Sequence, residues 1–517
     1  MIGEKTIVVG LDGAHFELIE PWIEAGELPN IERAIDNGVT AHSQSVLPPV
    51  TSPNWKAYAT GKNPGKLGIF WWENVDMADE RVYYPDERKS TNTEYWELIG
   101  EQSSACVVNV PTTYPPRTSA AMVVAGAPDG ADSGYTQPPE LEAELRDELG
   151  YRVTKETPIT SQPDAAAAEI IDLIDLRFRA GKYLLNQYDP NFLQITTFYL
   201  NSLHHFFWDD EQTLRGWTVV DDHLGEFLDA GYNVVLMSDH GATEIETVFH
   251  INAWLEREGY LISDMGMIKA LSSAGITAER LIDVTSRLGV RRLAKRVTPR
   301  WILDRIPTKG GEVSRERKTV NINWNKTTAL ASGQGPVYID SEIADYESVR
   351  SSLIEELSSL TGPDGKPIAT AVHRGEDVYD GPYLDEAPDI VVEQRNGIHI
   401  QGGLGRSEVF TKPEADGWYG ENKRDGLFVG AGPDFTTGSI EEFSILDLAP
   451  TLLHLHGCAV PADMDGTVRT AAFSEDSDTL ERAVERIERD LHEDGSESQN
   501  TEDNEVRSRL QDLGYLE

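Results

Sequence analysis

Two cysteines in 517 residues are too few for a disulfide framework. Cys106 and Cys458 stand far apart, in neither a Cys-x-x-Cys nor a zinc-finger spacing, and read as small buried residues. No run approaches the ~18 consecutive apolar residues of a membrane-spanning helix. No charged-then-apolar leader precedes the first strand, so a cytoplasmic location is expected. Basic residues are scarce, 45 Lys and Arg against 88 Asp and Glu, for a net charge of -43. That balance excludes general nucleic-acid binding. The charge is spread along the chain rather than gathered in runs, apart from the tail. Dense salt screens such a surface, so the interior of a high-salt organism is the expected setting. A Walker loop and a Rossmann fingerprint are also missing, because Gly61-Lys-Asn-Pro-Gly65 has the wrong spacing for either.

What the chain does contain is an alternation of strands and helices. Thr6–Leu11, Ala41–Leu47, Cys106–Val110, Ala120–Ala125, Asn191–Phe198 and Asn233–Met237 are short β-prone runs. Pro29–Gly38, Ala165–Tyr188 and Leu214–Ala230 have helical spacing. The pattern predicts an α/β fold with a mostly parallel sheet covered on both faces. Ligands of such sheets bind beyond the carboxyl ends of the strands. Asp12, Thr51, Asn201 and Asp239 all fall at such ends. Four segments are expected: 1–264 as the first part of an α/β core, 265–318 as a helical insertion, 319–473 as the second part of the core, and 474–517 as an acidic tail. The insertion reverses the local charge, with twelve Lys and Arg between Arg280 and Lys318 against four Asp and Glu. It reads either as a solvated insertion or as a basic lid. The tail reads as a solvated helix or loose segment from Ser474, with an amphipathic docking end at Val506–Glu517.

Three stretches carry candidate chemistry. Leu47-Pro-Pro-Val-Thr-Ser-Pro-Asn-Trp55 places a Thr-Ser pair between a strand end and a helix start. Thr51 or Ser52 there is either a helix N-cap or a hydroxyl aimed, with nearby backbone N–H groups, at an anion. Asp239-His240 at a strand end is either a loop start or a pair of ligands for a divalent cation. Adding Asp12 and the Thr51 hydroxyl gives a mixed oxygen and nitrogen site that could activate the hydroxyl.

Val9-Gly-Leu-Asp-Gly13, Pro48-Pro-Val-Thr-Ser-Pro-Asn-Trp55, Ala59-Thr-Gly-Lys-Asn-Pro-Gly65, His205-Phe-Phe-Trp208, Met237-Ser-Asp-His-Gly241 and Val460-Pro-Ala-Asp-Met-Asp-Gly466 occur in one order. Together they resemble the type I phosphodiesterase / nucleotide pyrophosphatase branch of the alkaline phosphatase superfamily, over most of the chain. The resemblance implies a three-layer α/β/α sandwich and a metal-dependent hydrolase of phosphodiesters or pyrophosphates. Its threonine nucleophile would be Thr51, forming a phospho-enzyme intermediate, and its substrate a small phosphate-containing anion. It implies one cation, zinc or manganese, held by Asp12, Thr51, Asp239 and His240. A second cation would match Asn201, His205 and Asn422, of which only His205 is the family's residue type. Neutral asparagine oxygens are weak ligands, so the second site is expected to be weak or empty. The same two asparagines motivate the alternative of a non-catalytic relative that binds an anionic ligand. Lys423 or Arg424 could bring a positive charge there, and His250 or His399 another imidazole. Asn74 is a candidate amide for contacting a substrate oxyanion.

Overall fold

A computed structural model describes residues 5–488, apart from residues 86, 87, 89, 90, 129, 264–321 and 414–416. The expected insertion at 265–318 and the docking segment at 506–517 therefore lie outside the described residues.

The sheet starts with β1 (Thr6–Leu11) and β2 (Val39–Gln44). The long stretch that follows contributes β3 (Ala105–Val108), β4 (Met122–Val124), β5 (Thr136–Gln137), β6 (Phe192–Thr197) and β7 (Asn233–Met237). After β8 (Gly241–Glu244) and β9 (Gly420–Lys423), which pair with each other outside it, the chain returns as β10 (Asp425–Ala431). Gly438–Ser439 then pairs beside β2, and the strands run β2-β10-β7-β1-β6-β3-β4-β5 from there. β1 is parallel to β6 and β7, and β3 is parallel to β4 and β6. β10 is antiparallel to both β2 and β7, which leaves β2 running the same way as β1. The strands expected from sequence are all present, with β4 trimmed to the three residues that pair with β3.

Alternate residues of β1 enter two different cores. Ile7, Val9 and Leu11 pack with the helices Pro163–Tyr188 and Glu211–Asp229, whereas Val8 packs with Trp55, Tyr58, Leu448 and Leu452. This period of two, with helices on both faces, makes the molecule a three-layer α/β/α sandwich. A smaller antiparallel sheet of Ala329–Ala331, Pro336–Ile339, Ile390–Gln394 and Ala369–Arg374 carries a core of its own around Val337, Leu353 and Val392.

From Ser474 to residue 488 the tail is mostly exposed, yet it is anchored at several points. Ser474 and Thr436 bond across to Asp434 and Ala472, Arg482 donates to the His454 carbonyl at 2.5 Å, and Arg486–Ile487 pairs in parallel with Val460–Pro461. Its low apolar content concealed these polar and backbone anchors.

Candidate active site

The carboxyl ends of β1, β2, β6 and β7 meet at one edge of the sheet, and each delivers a polar residue there. Beyond β2 the chain turns and starts α1 (Thr51–Thr60). Asn54 fixes that turn. Its amide donates to the carbonyls of Pro48 (3.0 Å) and Val50 (2.9 Å) and accepts from the Val46 N–H (2.8 Å). All ten residues of α1 are buried, so its N-terminus is held firmly against the sheet. Val50 occupies the cap position, and the Thr51 hydroxyl makes no cap bond. Thr51 Oγ1 instead faces His240 Nε2 at 3.3 Å and Asp12 Oδ1 at 3.5 Å. The cap reading of Thr51 therefore fails.

Asp12 follows β1, and its Oδ2 accepts from Trp55 Nε1 at 2.8 Å, tying the strand end to α1. Gly13 turns the chain with φ +73°, and its N–H donates to Asp239 Oδ1 at 3.3 Å. A Cβ at Gly13 would stand 2.3 Å from Asn201 Oδ1, so both the left-handed backbone and the close approach require glycine.

Ser238 positions the end of β7. Its hydroxyl donates to the Ala14 carbonyl and accepts from the Leu427 N–H, both at 2.8 Å, clamping the Asp12 turn and β10 to Asp239. Ser238→Ala leaves two buried backbone groups without partners. It is expected to cost about 2 kcal/mol in a denaturant melt. A change within error would count against the clamp.

The His240 Nδ1–H donates to the Gly241 carbonyl at 2.9 Å, because a carbonyl can only accept. Nε2 therefore presents a lone pair, 3.1 Å from Asp239 Oδ2 and 3.7 Å from Asp12 Oδ1. Asp12, Asp239 and His240 form a group whose potential donor atoms all lie within 4.8 Å of one another. All three side chains are buried, and among the described residues Asp239 Oδ2 has no hydrogen-bond donor. Burial pushes the Asp12 carboxyl up to about 8, against hydrogen bonds from Trp55, Asn201 and Thr51 that hold it down. Burial and the neighbouring Asp12 drive Asp239 well above the usual carboxylate range, and burial lowers His240 to about 4. Two buried carboxyls that resist ionising alone, converging with an imidazole lone pair, form a possible site for a divalent cation, whose charge would favour their ionised forms.

The other expected site residues divide. Asn201 bonds Asp12, and its Nδ2 donates to Asn422 Oδ1 at 3.4 Å, so both asparagines adjoin the cluster. His205, on α2 (Phe198–Phe207), directs its Nδ1–H to the Gly420 carbonyl at 2.6 Å and lays its ring against Trp418; it stands outside the three-residue group. Asn74 opens the short strand Asn74–Asp76 that follows α1 in the chain. Its amide is used in bracing its own loop, donating to the Gly68 carbonyl at 2.8 Å and accepting from the Phe70 N–H at 3.3 Å. Lys423 pairs with Glu17 and Arg424 with Glu393, so neither brings free charge to the asparagines. His250 bonds Thr411 and His399 pairs with Glu421. Trp55 and Ser238 were not singled out from the sequence. Trp55 lies inside the quoted Thr51 motif, and only the fold reveals that its indole reaches Asp12.

Residues 6–420 match the family model described as type I phosphodiesterase / nucleotide pyrophosphatase. The fold is similar to phosphonoacetate hydrolase from Sinorhizobium meliloti 1021 in complex with phosphonoformate (TM-score 0.56, 14% identity) and with phosphonoacetate (TM-score 0.57, 15% identity). Murine ectonucleotide pyrophosphatase / phosphodiesterase 5 in complex with AMP is a more distant likeness (TM-score 0.48, 13% identity). Each comparison covers 88% of this chain and 96% of the other. At these identities the likeness concerns the fold alone. No curated protein sequence matches the chain.

Proposed function

The chain belongs to the type I phosphodiesterase / nucleotide pyrophosphatase family, and from that premise we propose a metal-assisted hydrolysis with Thr51 as nucleophile. Membership makes the protein a phosphodiesterase- or pyrophosphatase-type hydrolase of the alkaline phosphatase superfamily. The observation that carries the finer reading is the convergence of Asp12, Asp239 and the His240 Nε2 lone pair on one point, with the Thr51 hydroxyl against it.

Asp12, Asp239, His240 and the Thr51 oxygen would hold one divalent cation, zinc or manganese. When bound, that ion lowers the pKa of the hydroxyl and offsets charge on a phosphoryl oxygen. Thr51 Oγ1 attacks phosphorus, the bond from phosphorus to the leaving oxygen breaks, and the proton lost by Thr51 ends on that oxygen. Water then cleaves the phospho-threonine and restores the hydroxyl. Trp55 and Gly13 keep the two carboxylates in place through the hydrogen bonds described above, and Ser238 holds the two strand ends together. The rigid start of α1 supplies the orientation, with its dipole favouring negative charge near Thr51. The substrate class is a small anion with a phosphodiester or pyrophosphate linkage. The charge of -43 supports a working medium of high salt, which would screen it.

Hydrolysis of bis-para-nitrophenyl phosphate in concentrated potassium chloride tests this reading, with zinc, manganese and magnesium compared. Turnover with zinc or manganese, abolished by a chelator, is the expected result. Silence with every metal would favour a protein that binds an anionic ligand without cleaving it.

A further inference from the structure

The positions that match the family's second cation are Asn201, His205 and Asn422. They do not fit one. None is a carboxylate, the Asn422 oxygen accepts from Asn201, and His205 gives its Nδ1–H to Gly420. A second divalent ion would lose its hydration there with no opposite charge in those three side chains to offset the loss. No step is derived through such an ion.

The same place is supplied with hydrogen-bond donors. Trp217 Nε1–H donates to His204 Nε2 at 3.1 Å. An indole N–H can only donate, so His204 Nε2 is the acceptor and the ring proton sits on Nδ1. That Nδ1–H faces the Asp12-Gly13 turn, 3.1 Å from where a Gly13 Cβ would lie. Asn422 stands opposite on β9, its backbone N–H bonded to Glu421 Oε1 and its carbonyl accepting from Gln394. Asn422 Nδ2 and His204 Nδ1 are fully enclosed, yet no acceptor among the described residues lies within reach of either. Buried donors without acceptors are costly, and two of them flanking Asn201, which itself bonds Asp12, mark a place for an acceptor the chain does not supply.

We propose that His204 Nδ1 and Asn422 Nδ2 form a neutral seat for a phosphoryl oxygen on the Asn201 side of Asp12, so that the centre works with one cation and two donors. The proposal rests on the reading of Thr51 and its cation given above. Neutral donors bind an oxyanion without bringing further charge into a buried site.

The test counts divalent ions per chain by atomic emission and titrates the metal-loaded protein with inorganic phosphate. The unaltered chain is expected to hold one ion and to bind phosphate. Asn422→Ala and Asn422→Leu, the second keeping the bulk of the side chain, are expected to retain that ion while losing about tenfold or more in phosphate affinity. Two tightly held ions in the unaltered chain, no phosphate binding by it, or unchanged phosphate affinity in an ion-retaining Asn422 variant would each overturn the seat. Failure of the Thr51 reading looks different: phosphate still binds in an Asn422-dependent way, but the unaltered chain cleaves no diester.

Discussion

Thr51→Ala is expected to lower kcat on an aryl phosphodiester by about a thousandfold or more, equivalent to about 4 kcal/mol of lost barrier lowering. The expectation follows from position. Thr51 Oγ1 lies within 3.5 Å of both Asp12 Oδ1 and His240 Nε2. The neighbouring Ser52 hydroxyl is buried with no hydrogen-bond partner among the described residues and is not a ready substitute. The fold should survive. Thr51 caps nothing, and the turn before α1 is held by Asn54 rather than by the threonine. Deleting a hydroxyl and a methyl from a buried helix start should cost on the order of 1 kcal/mol, small beside the catalytic loss. Circular dichroism, a melt and a metal count on the variant separate the two effects. A variant that still turns over the diester at the parental rate would remove Thr51 from the reaction.

Much of this site was legible because parallel sheets place chemistry at the carboxyl ends of their strands. Thr6–Leu11 and Asn233–Met237 announced themselves as buried strands, so Asp12, Asp239 and His240 could be placed together before any contact was known. Their meeting within 4.8 Å follows from β1 and β7 lying side by side. Three things were not legible. The bond of Trp55 to Asp12 depends on the direction in which α1 leaves the turn, which the motif does not give. The Asn74 amide bonds carbonyl and N–H groups only a few residues away, local pairings that residue type alone does not reveal. The donors of His204 and Asn422 were hidden for a related reason. Sequence shows His204 only as a neighbour of His205, and its proton is assigned only once Trp217 is seen behind it.

Asp239→Asn should abolish metal-dependent turnover, by about a thousandfold or more, and at the same time make the metal-free fold less sensitive to alkali. Asp239 is fully buried beside Asp12, and without a cation both carboxyls are held far above their unfolded values, Asp12 at about 8. The sign follows from linkage. A carboxyl with a raised folded pKa stabilises the fold fully below its unfolded value. That contribution declines as pH rises and is gone above the folded value. Chelated wild-type protein is therefore expected to melt at progressively lower temperature from about pH 4, the unfolded carboxyl value, up to about pH 8 and beyond, as the pair is forced to ionise without water or a counter-charge. Asparagine at 239 has no charge to acquire, and it also relieves the repulsion on Asp12, so the decline should shrink in the variant. Adding metal reverses the order, because the cation favours the charged pair: wild type should gain stability and keep its ion at high pH, whereas the variant should do neither. Melts of chelated and metal-loaded protein in concentrated salt, read beside metal counts, decide the matter. Parallel pH profiles for the two metal-free proteins would mean that Asp12 and Asp239 do not share one buried charge, and the cation would then have to be placed elsewhere.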